Sequence, residues 1–228
     1  MIKFFLWLLC GLFFSSAQAQ EPGSWYAGLS VGNAIADDTT RVDSDDAGVP
    51  LDATSEDVTL TGTKFFSGSV FVGKNIRSFS QGTLFGELSY SYNGEETSAV
   101  SNTAVADVKI SIKRPMNFGM SAGFSKPLKD NVSVFVKLGV LLSQFKTGFD
   151  DRARAQLYTG TDSQFAWGFA PSVGIQKDIG DMTIGLVYSY YLYQTLAAKS
   201  MNMNSQITYI NTITPSYHML EARVSKKL

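Results

Sequence analysis

The stretch Phe165-Ala166-Trp167-Gly168-Phe169-Ala170-Pro171-Ser172-Val173-Gly174-Ile175-Gln176-Lys177 decides how this chain folds. Its odd positions up to Ile175 are large and apolar, and its even positions are small or polar. Alternation at period two marks a strand with two different faces. If the apolar face were buried in a soluble barrel, the small face would meet water with hardly a charge on it. Water-facing strands usually carry charge, for solubility and to protect edges. In a membrane barrel the large side chains meet lipid and the small and polar ones fill the lumen. A closed sheet also pairs every backbone N–H and C=O, as a bilayer demands.

The same alternation recurs along the chain. Val132, Val134, Val136, Leu138, Val140 and Leu142 share one face, opposite Ser133, Phe135, Lys137, Gly139 and Leu141. Met182 to Leu192 and Leu84 to Tyr92 repeat it, and so do Trp25 to Gly32 and a long stretch from about 58 to 73. An unbroken parity runs from Val108 through Ile110, Ile112, Met116, Phe118, Met120 and Ala122 to Phe124. His218, Leu220, Ala222, Val224 and Leu228 close the chain. These stretches make eight strands. The connections near 74–82, 126–131 and 177–181 are short and rich in turn formers, whereas 34–57, 93–107, 146–163 and 195–213 are long. The expected fold is an all-β, eight-stranded antiparallel up-and-down transmembrane barrel, with short periplasmic turns and four long extracellular loops.

Composition fits this reading. Aromatics make up 13% and charged residues only 17%, yet mean hydropathy is +0.01. The rings argue against disorder, and the neutral hydropathy argues against a helical membrane bundle. A formal charge of −1 argues against nucleic acid as a partner. At the N-terminus Lys3 precedes an apolar run from Phe4 to Phe14 and the small-residue site Ala17-Gln18-Ala19. Residues 1–19 are therefore expected to be a cleaved signal peptide, and residues 20–228 a single barrel domain in the bacterial outer membrane. The only cysteine, Cys10, lies in that leader, so the mature chain has no disulfide.

The candidate site residues follow from parity and position. Glu87, Lys137, Glu221 and Arg223 fall on inward positions, where a charge is costly unless paired, so they are expected to form a lumen network. Trp25 at the inner end, with Tyr90, Tyr92, Phe165, Trp167 and Tyr190 at the outer end, are expected to form aromatic girdles. Asp37, Asp38, Asp43, Asp45, Asp46, Asp52, Glu56 and Asp57 are expected to form a solvated acidic extracellular loop. The run Asp43-Ser44-Asp45-Asp46-Ala47-Gly48 fails as a calcium loop, because Ala47 and Thr54 stand where ligands are needed. No metal or cofactor is expected.

The segment Ser24-Trp25-Tyr26-Ala27-Gly28-Leu29-Ser30-Val31-Gly32 and the alternating C-terminal strand resemble the small eight-stranded outer-membrane barrels of Gram-negative bacteria, the OmpA transmembrane domain, OmpX and opacity-protein type. The resemblance covers the whole mature chain. The chain departs from it by ending in Leu228 rather than Phe, and by placing Lys226 on the outward parity. The resemblance implies a structural or surface protein that presents loops for host contact and envelope integrity. Its implied partners are outer-membrane lipid, lipopolysaccharide, the outer-membrane assembly machinery and a host surface ligand. A small gated pore is the alternative, and a lipid A-modifying barrel enzyme ranks below it. Catalysis is not expected: the only histidine, His218, has Ser216 on its face, but no orienting acid shares that face nearby.

Overall fold

The computed structural model describes residues 22–45, 57–94, 108–151, 158–201 and 208–228. The wall is built from β1 (Trp25–Asp45), β2 (Asp57–Phe79), β3 (Gly82–Asn93), β4 (Val108–Pro127), β5 (Val132–Asp151), β6 (Tyr158–Ile179), β7 (Met182–Tyr193) and β10 (Ser216–Lys227). Consecutive strands pair antiparallel, and β10 pairs with both β7 and β1, which closes the barrel at eight strands. Two further strands, β8 (Leu196–Met201) and β9 (Thr208–Thr214), form a hairpin on the outer side. They prolong β7 and β10 across a break. Gln194 and Thr195 interrupt one side, and Pro215, which has no N–H to give a ladder, interrupts the other. Beyond the break β9 takes the place of β10 beside β1.

The start of β1, the end of β10 and the tight turns lie at one end of the barrel, where Tyr26 pairs with Lys227. There Asp130 and Asn131 both adopt positive φ, the pattern of a two-residue hairpin turn whose twist matches its strands. Side chains alternate as their sequence does. Trp167 is 57% exposed and its neighbour Ala166 is 0% exposed. Inward glycines make room for rings: a Cβ on Gly174 would lie 2.4 Å from the Phe135 ring.

Two features differ from the sequence reading. The strands run well past the apolar alternation, so Asp37, Asp38, Asp43 and Asp45 lie on β1 and Asp57 on β2 rather than in a loop. Ladder bonds need only backbone, and where Asp37-Asp38-Thr39-Thr40 runs opposite Val58-Thr59-Leu60-Thr61 the pair of strands is rich in β-branched residues. Asp46, Asp52, Glu56 and the expected signal peptide lie outside the described residues. The second difference is in β4. Its register against β5 shifts between Lys113 and Met116, adding one residue to β4. A bulge of one residue moves every later side chain to the opposite face. Ile112, expected to face outward, is therefore fully buried, and Arg114 points into the lumen beside it.

Candidate functional site: two layers in the lumen

The lumen is filled in two polar layers, separated along the barrel axis. The layer nearer the short turns centres on Glu87 of β3. Its carboxylate accepts from Lys137 Nζ at 2.9 Å, from Arg223 Nη2 at 2.5 Å and from the Tyr26 hydroxyl at 3.1 Å. The Arg223 guanidinium lies over the Phe71 ring at 4.0 Å and near Phe135 at 5.7 Å. Glu221 stands apart from this ion cluster. It accepts from Ser30 Oγ at 2.7 Å and lines the same small cavity, of about 40 Å³. The expected four-charge network is thus a three-charge cluster with Glu221 held separately, because β10 places Glu221 two residues further out than Arg223. The cavity has room for water, and its wall carries Ser30, Ser69, Ser89 and Ser91.

The outer layer was not foreseen from the sequence. Arg114 Nη2 donates to Asp38 Oδ1, and both side chains are fully buried. Asp38 Oδ1 also accepts from the Ser216 backbone N–H at 3.1 Å. Three rings surround the guanidinium, with Phe145 and Tyr217 each 5.5 Å away and Phe65 at 5.8 Å. Below it, Asn117, Ser143, Tyr193 and Tyr217 form one hydrogen-bonded set, and Tyr191 stacks on Tyr217 at 4.3 Å. Asp38 is therefore a lumen residue and not part of a solvated acidic loop. Two signals in the sequence point this way. The inward parity Gly28, Ser30, Gly32, carried further along β1, reaches Asp38. Pro115 inside a central strand is tolerated only at a bulge, and that bulge aims Arg114 inward.

The remaining candidates lie on the outer face. Trp25, Tyr90, Tyr92, Phe165 and Trp167 are exposed, and Tyr90 packs against Phe118 at 5.0 Å. Tyr190 stacks on His218 at 4.5 Å. The His218 Nδ1 meets the Tyr188 hydroxyl at 2.5 Å, while Ser216 Oγ donates to the Asp37 carbonyl at 2.6 Å. Ser216 and His218 are thus engaged with different partners rather than with each other. Among the described residues no group of three or more His, Cys, Asp or Glu side chains could hold a metal ion.

Comparison with known proteins agrees with this architecture. Residues 5–214 match the family described as outer membrane protein beta-barrel domain. No curated relative matches the sequence. Among solved structures, the outer membrane protease OmpT from Escherichia coli is 9% identical with a TM-score of 0.51, over 93% of this chain and 99% of that one. Neisserial surface protein A is 16% identical with a TM-score of 0.45, over 90% of this chain and 97% of that one. The outer membrane protein OprG from Pseudomonas aeruginosa is 12% identical with a TM-score of 0.49, over 92% and 98%. These relatives differ in role, so the shared fold leaves activity to be argued from the site.

The chain belongs to the outer membrane protein beta-barrel domain family, which indicates a bacterial outer-membrane location.

Proposed function

We propose that this family member is a closed structural barrel that holds its outer connections at the cell surface for contact with a host or another surface, and that supports envelope integrity. One observation carries the reading: the Arg114–Asp38 pair of the outer lumen layer is fully buried, with Phe65, Phe145 and Tyr217 around the guanidinium. An eight-stranded barrel leaves an interior that side chains can just fill. The ladders of β4, β5 and β6 continue to Val108, Asp151 and Tyr158, well beyond the aromatic residues. They lift the outer connections away from the lipid, and connections on a rigid scaffold are where recognition resides.

Lipopolysaccharide is the partner proposed for the outer wall. Lys113 and Lys146 are direct cross-strand partners on the outward face, just beyond Trp167 and Phe165. Like charges placed opposite each other repel, so a phosphate-bearing glycolipid suits that position. A gated conduit is the second reading. It is favoured by Glu87, whose carboxylate is shared by two cations beside a cavity and could exchange between them.

The surface role is tested by replacing residues 95–107 and 202–207 with Gly/Ser linkers in expressing cells. Attachment to host cells should fall while the heat-dependent gel mobility of the folded barrel persists. Unchanged attachment with the barrel intact would contradict the proposal.

A further inference from the structure

The lipid-facing wall carries a concavity near the short turns. The register places Val31, Ala222, Leu186 and Ile175 in one outward row across β1, β10, β7 and β6. The next row toward the turns is Leu29, Val224, Ile184 and Lys177. Ala222 is the small member among large neighbours, and over it lies a groove of about 680 Å³ whose lining is almost wholly apolar. That volume falls in the roughly 300–1,000 Å³ range of small-molecule sites. Lys177 lines its turnward end. One row further, Lys226 is outward on β10 opposite Met182, and its Nζ lies 4.0 Å from Asp181. Asp178, the other acid at this turn, accepts from Thr183 Oγ1 at 2.5 Å. The groove therefore joins an apolar trough to a cationic end at the periplasmic interface.

We propose that this groove binds one anionic phospholipid of the inner leaflet, with an acyl chain over Ala222 and the phosphate at Lys177, seconded by Lys226. A lysine on the lipid face costs up to about 1 kcal/mol even near an interface, and an anionic headgroup offsets that cost. A zwitterionic lipid fills the trough equally well but brings no net charge to Lys177, so preference for the anionic lipid is the mark of the site.

Native mass spectrometry of the mature protein tests this, using vesicles of palmitoyl-oleoyl phosphatidylglycerol or of the matching phosphatidylethanolamine. The wild type should retain one phosphatidylglycerol in preference to phosphatidylethanolamine. Lys177→Gln should lower that retention about fivefold, the worth of one lysine at an anionic headgroup. Lys177→Arg should keep it, and Ala222→Phe, which fills the trough on the lipid side, should remove it. Heat-shifted gel mobility reports that each variant is folded, and Lys177→Gln decides the matter if Ala222→Phe is not. Equal retention of the two lipids by the wild type, or unchanged phosphatidylglycerol retention in Lys177→Gln, would overturn the proposal.

Discussion

The two lumen layers use the same chemistry, arginine against a carboxylate, in opposite settings. In the inner layer one carboxylate, Glu87, serves two cations, and the Lys137 side chain keeps 18% of its surface exposed. A tyrosine hydroxyl and a small polar cavity adjoin it. In the outer layer Arg114 donates to Asp38, both side chains at 0% exposure, with three rings around the guanidinium. Among the described residues Asp38 Oδ2 accepts no hydrogen bond, so Asp38 depends on Arg114 for its charge balance. The inner layer shares one carboxylate between two cations beside a cavity, and the outer layer sets a fully buried arginine against a fully buried aspartate. A buried pair adds little over an apolar filling, but losing one partner is severe because the other charge stays buried.

This contrast ranks the substitutions. Arg114→Met should have the largest effect, about 3–5 kcal/mol, because it leaves the fully buried Asp38 carboxylate without the cation that donates to it. Urea unfolding in phospholipid vesicles, followed by tryptophan fluorescence, measures it. A double variant that adds Asp38→Leu should recover most of the loss; no recovery would mean that the pair is not the source of the cost. Glu87→Gln should cost less, about 2 kcal/mol, because Lys137 and Arg223 lose the shared negative charge while the amide Oε1 can still accept from one of them. Lys137→Met should cost least, under about 1 kcal/mol, since Arg223 still pairs with Glu87 and the lysine was partly solvated. If Lys137→Met matched Arg114→Met, the difference between the layers would not hold.

Much of the fold was legible because a membrane barrel writes its two faces into alternate residues. Phe165 to Lys177 and Met182 to Leu192 keep one parity throughout, and the structure follows it. The inner layer was legible for the same reason, since Glu87, Lys137 and Arg223 sit on unbroken stretches. The outer layer was hidden by two local effects. An apolar alternation ends where the membrane ends, but hydrogen-bonded ladders do not, so Asp38 reads as loop although it lies on β1. The bulge at Arg114-Pro115 reverses parity, so counting across it sends Arg114 to the wrong face. Pro115 was the available warning, because proline cannot donate to the ladder. Glu221 shows a further limit: parity gives the face of a side chain but not the height at which its partners sit.

The central claim is that the outer layer closes the lumen. Planar-bilayer recordings of the purified, folded protein test it most directly, with Arg114→Ala in parallel. The wild type should give no discrete conductance steps, and the variant, with a void where the guanidinium stood, should give small ones. Discrete steps in the wild type that persist unchanged in Arg114→Ala would contradict the claim.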